Sequence, residues 1–186
     1  MTTIYFIRHC EPDFSIKCDL ERPLTKKGTN DSLKILDYLK DKKIDKILSS
    51  PYKRAIDTLK PFSDYINKNI ELIEDFRERK ISSCWIEDFK SFSQKQWEDF
   101  NFKLNDGESL KEVQDRNINS LRHVLKTYNN KNIIIGTHGT SLSTILNFYN
   151  SSYGYEHFNK IKDIMPFIAK FIFDNEKLIS IDIINI

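Results

Sequence analysis

The chain has 186 residues, enough for one well-buried core and too few for two comfortable domains. Its 39% hydrophobic and 30% charged residues, with no Gly/Pro-rich or Ser-rich tract, predict a soluble, globular, single domain over residues 1–186. A net charge of +2 excludes a strong whole-molecule field for nucleic acid or a membrane surface. No apolar run reaches bilayer length and no signal peptide is legible at the N-terminus, so a cytoplasmic address without membrane contact is expected. Cys10, Cys18 and Cys84 have neither CxxC spacing nor a histidine partner at zinc-finger spacing. Reduced thiols, no disulfide framework and no structural metal follow as expectations.

Thr2 to Ile7 is a β-branched and aromatic run that reads as a buried strand, and it delivers Arg8 and His9 to its C-terminal end. In open α/β sheets ligands sit at such ends. A guanidinium fork fits phosphate oxygens and a neutral imidazole is a nucleophile near neutral pH, so the pair suits attack on a phosphoryl group. Taken alone it is equally an ordinary strand end. A polar passage to Pro23 precedes a helix that Thr25 can cap, with Leu33, Leu36 and Leu39 at helical spacing and lysines gathered in its last turn. Lys46 to Ser49 reads as a second strand. Ser50 is the expected N-cap of the following helix, with Pro51 at its first position and Arg54 in its first turn. Pro61 is expected to kink or end that helix.

Asn69 to Ile73 alternates as a third strand, and Glu78 stands just beyond it. From about 81 to 106 periodicity is lost while large rings accumulate: Trp85, Phe89, Phe92, Trp97, Phe100 and Phe102. Two readings stay open, a lid-like insertion over the sheet ends and an aromatic part of the core. Ser109 and Glu112 form a capping box that opens the clearest helix, with Leu110, Val113, Ile118, Leu121, Val124, Leu125 and Tyr128 on one face. His123 falls on the opposite face. Ile133 to Ile135 is another apolar strand, ending in Gly136-Thr137-His138-Gly139, with a helix from near Thr140. Gly139 permits close backbone approach, and the first amides of that helix favour an anion, so His138, Gly139 and Thr140 are candidate ligand-binding residues. The tail reads as two strands joined at Asp174 to Lys177, an antiparallel hairpin. His157 lies in a polar helical segment and is assigned no chemistry.

Arg8, His9, Arg54, Glu78 and His138 therefore all fall at or just past strand ends, as they would if one sheet edge gathered them around a phosphate. Six stretches in order carry a resemblance: RHCE at Arg8 to Glu11, LTKKG at Leu24 to Gly28, SSPYKRAIDT at Ser49 to Thr58, FRER at Phe76 to Arg79, GES at Gly107 to Ser109 and THG at Thr137 to Gly139. Together they resemble the histidine phosphatase superfamily, the phosphoglycerate mutase-like family.

The resemblance implies an α/β three-layer sandwich: a mostly parallel central sheet, helices on both faces, and a C-terminal antiparallel hairpin. It implies that His9 becomes phosphorylated, that Arg8, Arg54 and His138 bind the transferring group, and that Glu78 protonates the leaving oxygen and then activates water. No cofactor and no metal are implied. The expected partner is a small-molecule phosphate monoester. Hydrolysis is the leading outcome. The alternatives are phosphoryl transfer of the phosphoglycerate mutase type and an inactive phosphate-binding or scaffolding module. Three departures stand out: Cys10 where the family has glycine or alanine, Ser15 where mutases carry asparagine, and a segment after Lys80 unlike the family pattern. Cys10 beside a cationic site is expected to be an oxidisable thiol, and Arg77, Arg79 and Lys80 are candidates for a second anionic group of the substrate. Oligomeric state is not legible.

Overall fold

A computed structural model describes residues 1–83 and 86–186. Cys84 and Trp85, the latter part of the aromatic set above, lie outside the described residues. The elements run β1 (Thr2–Arg8), α1 (Lys26–Leu39), β2 (Lys46–Ser49), α2 (Lys53–Tyr65), β3 (Ile70–Leu72), a 3-10 turn (Glu74–Phe76), α3 (Phe89–Glu98), α4 (Leu110–Thr127), β4 (Asn132–Thr137), α5 (Gly139–Tyr149), α6 (Tyr155–Ile161), β5 (Phe167–Asp174) and β6 (Lys177–Ile184). The strands form one sheet in the order β3-β2-β4-β1-β5-β6. β3, β2, β4 and β1 are parallel neighbours, while β5 runs antiparallel to β1 and to β6. The architecture is the mostly parallel sandwich with a terminal hairpin.

Period-two alternation divides the sheet between two cores. Ile4 and Phe6 of β1, with Ile133 and Ile135 of β4, face Leu121, Val124 and Leu125 of α4 and Ile145 of α5. Tyr5 and Ile7, with Ile47 and Ile134, face Ile35 and Leu39 of α1 and Leu59 and Phe62 of α2. A fully buried side chain of this kind stabilises by about 1.5–3 kcal/mol.

Several local expectations need correction. α1 is capped by Thr25, whose hydroxyl accepts from the Gly28 amide at 2.9 Å. Its inward face, however, is Gly28, Asp31, Ser32, Ile35 and Leu39, and Leu33 is exposed. The lysines do not sit in its last turn; they begin at the C-cap, Lys40. Gly28 belongs inward because a Cβ there would lie 2.2 Å from the Glu11 carbonyl oxygen. Pro61 does not end α2, which continues to Tyr65. Burial of Leu59 and Phe62 on either side offsets the roughly 3 kcal/mol that an internal proline costs.

α4 carries the full Ser109–Glu112 capping box with the expected buried face, and His123 is exposed. Within the 81–106 segment, Phe92 and Trp97 are buried. Trp97 packs on Leu110 and Phe158, with Phe100 against it, in a small core of its own, while the Phe92 ring meets Phe102.

Candidate active site

Strand register assembles the site. Arg8 is the β1 partner of Thr137 in β4, and Ser49 of β2 is the partner of Gly136. Three parallel strands therefore stop side by side, and the next residues, His9, Ser50 and His138, emerge at one edge. The His9 and His138 rings lie 5.2 Å apart between centroids.

His9 Nδ1 lies 2.7 Å from the carbonyl oxygen of Cys10. A carbonyl only accepts, so Nδ1 carries the proton and the Nε2 lone pair is left for a ligand. The imidazole is held well below its ordinary value, first by burial and then by the charges of Arg54 and Arg8. It is a neutral base at physiological pH. The Cys10 backbone is itself held by its amide on Thr58 Oγ1 at 2.9 Å, and that hydroxyl donates to the Arg54 carbonyl at 2.8 Å. α2 thus supports the turn behind His9.

His138 Nε2 lies 2.7 Å from Ser50 Oγ, which also accepts the Tyr52 amide at 3.2 Å. A Ser50 hydroxyl that donates to Nε2 puts the imidazole proton on the buried Nδ1, and one that accepts from Nε2 leaves a lone pair there. That atom has no partner among the described residues. Burial, then Arg54, keep this ring neutral as well. Ser50 is therefore not the N-cap of α2; Tyr52 takes that position without a side-chain bond, because the hydroxyl is turned to the histidine.

Arg8 donates from Nη1 to the carbonyls of Ile161 (2.9 Å) and Ile164 (3.1 Å), and from Nη2 to that of Lys162 (2.6 Å). The C-terminal end of α6 thus holds the guanidinium flat. Its Nε is buried and has no partner among the described residues. Burial brings the group down to about 10, opposed by the charges of Glu78 and Asp163, so it stays cationic. Gly139 packs on this plane: a Cβ there would lie 3.1 Å from Arg8 Cζ and 3.2 Å from Nε. Arg54, 3% exposed, donates from Nη1 to the Asp19 carbonyl at 2.6 Å and lies 3.0 Å from its carboxylate oxygen Oδ1.

Glu78 sits at the N-terminus of α5. Its Oε2 accepts the Thr140 amide at 3.0 Å, and its Oε1 accepts the amides of Ser141 (3.2 Å) and Arg79 (2.8 Å). The expectation that the Thr140 amide awaits a substrate anion is corrected here, because a protein carboxylate already occupies that helix end.

Beneath Glu78 lies a clamp that pattern reading missed. Arg116 of α4 donates to the carbonyls of Asp75 (2.6 Å), Arg77 (2.9 Å) and Glu78 (3.2 Å), while its Nε and Nη2 engage Glu108 at 2.8 and 3.1 Å. Glu108 also accepts the Lys80 amide and Arg77 Nη2, both at 2.9 Å. The middle residue of GES thus anchors the segment that carries Glu78. Arg116→Met should destabilise the fold by about 3 kcal/mol, since it strips Glu108 of two charge-assisted bonds and leaves the carbonyls of Asp75, Arg77 and Glu78 without that donor, and urea unfolding with m unchanged checks this.

The three candidates for a second anionic group each have a neighbour of their own in the structure. Arg77 pairs with Glu108, and Lys80 stands 3.8 Å from Asp106. Arg79, 4% exposed, bonds Gln96 and lies between the rings of Phe89 and Phe92. Cys10 is fully buried, and burial pushes its thiol up to about 12, so the oxidisable thiolate expected there does not form. Ser15 is exposed, its amide bonded to Asp13. Among the described residues no helix is long and apolar enough to cross a membrane, and no group of three or more His, Cys, Asp or Glu is placed to hold a metal ion.

The model of the histidine phosphatase superfamily, branch 1, matches residues 4–162. The chain belongs to the histidine phosphatase superfamily. As a member, it is an enzyme of the phosphoric monoester hydrolase class. It is similar to an uncharacterized phosphatase, PhoE, of Bacillus subtilis, with 28% identity over 150 residues, 78% of this chain and 76% of the relative. Among solved structures, a mutant phosphoserine phosphatase from Entamoeba histolytica in complex with phosphoserine superposes with a TM-score of 0.77 at 23% identity, covering 97% and 96% of the two chains. A mycobacterial glucosyl-3-phosphoglycerate phosphatase gives 0.76 at 13% identity over 97% and 96%. These likenesses show the fold. In this histidine phosphatase the two histidines, two arginines and one glutamate expected from sequence are gathered at one sheet edge.

Proposed function

We propose that the protein hydrolyses small phosphate monoesters through a phosphohistidine on His9. The observation that carries this is the Nδ1 bond of His9 to the Cys10 carbonyl, which presents a neutral Nε2 toward the cationic corner. Nε2 attacks phosphorus as the ester P–O bond breaks. Glu78, protonated, delivers its proton to the departing oxygen. The carboxylate then takes a proton from water, the hydroxide attacks phosphorus, and His9 leaves as neutral imidazole. Arg54, Arg8 through Nε, and His138 through Nδ1 stabilise the equatorial oxygens. Gly139 serves by letting the Arg8 plane lie close. The 81–106 segment, which follows Glu78 closely in the chain, is assigned the lid over the leaving group.

Two of the proteins named above are a phosphoserine phosphatase and a glucosyl-3-phosphoglycerate phosphatase, and small phosphorylated organic acids and alcohols are the first esters to assay. With EDTA present, free phosphate should appear and no positional isomer should accumulate. Strict loss of activity restored by a divalent ion would overturn the mechanism. Isomerised product instead of phosphate would favour the mutase reading, and phosphate binding without turnover the scaffolding one.

A further inference from the structure

Arg22 precedes the Leu24-Thr25 helix start and was not singled out by sequence, yet its side chain is only 9% exposed. Its Nε donates to the Ile16 carbonyl at 2.8 Å and its Nη2 to that of Lys17 at 3.3 Å, with the Phe14 ring 5.2 Å from the guanidinium carbon. The 14–19 loop is wrapped around it. Its Nη1 lies 2.7 Å from Asp19 Oδ1, the same oxygen that Arg54 Nη1 approaches to 3.0 Å. Two buried guanidiniums thus converge on a single carboxylate oxygen. The Asp19 side chain is 44% exposed, against 9% for Arg22 and 4% for Arg54.

We propose that Arg22 is a third guanidinium of the phosphoryl pocket, and that the Asp19 carboxylate occupies the place between Arg22 and Arg54 that a phosphoryl oxygen of the ligand takes. The proposal deepens the phosphatase reading and rests on it. A carboxylate and a phosphate present the same acceptor to an arginine fork. The exposed side chain can swing into solvent at little cost, whereas the buried arginines are held by backbone carbonyls that a rotation of the Asp19 side chain leaves in place: those of Ile16 and Lys17 for Arg22, and that of Asp19 itself for Arg54. The charge balance agrees, because among the described residues Asp19 is the only carboxylate paired with either arginine. Arg22 also contributes to keeping His9 neutral, so its charge is felt at the nucleophile. Asp19 thereby screens two buried cations until a dianion, which binds them more strongly, displaces it.

The test is calorimetric binding of inorganic phosphate to the full chain, alongside hydrolysis kinetics. Asp19→Asn should tighten phosphate about 3- to 10-fold and lower KM by a similar factor. Glu21→Gln, an exposed neighbour outside the site, should change binding far less. Arg22→Gln should weaken phosphate about 10- to 100-fold and abolish the gain from Asp19→Asn in the double variant. Arg22→Lys, keeping the charge, should recover part of the loss if the loop is intact by thermal melting. Weaker or unchanged binding in Asp19→Asn would mean that Asp19 only orders the arginines, and an equal gain in Glu21→Gln would reduce the effect to a general field; either overturns the proposal. If the parent binds phosphate but hydrolyses no ester, the phosphatase reading fails, and the Asp19→Asn binding comparison still decides the fork.

Discussion

His9→Ala should abolish ester hydrolysis, with a loss on the order of 10⁴- to 10⁶-fold, and remove the acid-labile phosphoenzyme expected of the parent with an activated aryl phosphate. The reason lies in one bond. With Nδ1 committed to the Cys10 carbonyl, Nε2 of His9 is the lone pair offered to phosphorus, while His138 faces Ser50 with its own Nε2. Rapid quench with labelled ester measures the trapped phosphohistidine, and near-normal turnover in the variant would move the nucleophile elsewhere. The pH behaviour follows from the same environment. Burial and the neighbouring guanidiniums hold His9 well below its ordinary value, so nucleophilicity should persist below pH 6 and the acid limb should not be centred near the usual ~6.5 of a histidine. For stability the sign is opposite to that of a salt-bridged histidine. The unfolded chain binds protons at His9 and His138 as pH falls through about 6.5 while the folded chain does not. The contribution is therefore present above that pH and lost below it.

Glu78→Gln should separate two kinds of ester. A poor alkoxide leaving group needs a proton as the P–O bond breaks, and general acid help of this kind contributes ~10²- to 10⁴-fold. A nitrophenolate hardly needs it. The variant should therefore lose alkyl phosphate hydrolysis by that factor yet still phosphorylate His9 from the aryl ester, and it should accumulate the intermediate because water has lost its base. Glutamine has one acceptor oxygen, which can keep the Ser141 and Arg79 amides while its NH2 group meets the Thr140 amide, so the α5 corner should lose about 1 kcal/mol, and thermal melting measured beside the kinetics separates that loss from the loss of the acid. Equal losses on both esters with no accumulated phosphohistidine would remove Glu78 from this role. Glu11 would not replace it easily, since its carboxylate is engaged by Thr25 at 2.9 Å and Lys27 at 3.2 Å.

The residues legible in the sequence are those whose role is encoded by position along a strand or helix. Arg8, His9 and His138 end apolar runs, Arg54 opens a helix, and Ser109 with Glu112 spells a capping box. All of these stand where their local pattern put them. The errors share one cause. Ser50 looks like a cap because serine before proline usually is one, but a histidine from a strand that begins 82 residues later in the chain, at Asn132, claims its hydroxyl. Thr140 looks like an anion donor because helix N-termini are, but Glu78 arrives there first. Cys10 looks reactive beside two cations, yet complete burial outweighs them.

By itself the sequence determined most of the elements in their order and the five residues to be gathered, because hydrophobic period and capping chemistry act within a few residues of where they are read; the sandwich followed from the resemblance that its six motifs carry. Only the tertiary structure decided how those five are held: which nitrogen of each histidine faces the ligand, what fixes the Arg8 plane, and that Asp19, Arg22, Glu108 and Arg116 belong to the site's support. These are contacts between groups far apart in the chain, made by side chains with several acceptors within reach. Which acceptor wins depends on strand register and burial, and these exist once the sheet has closed.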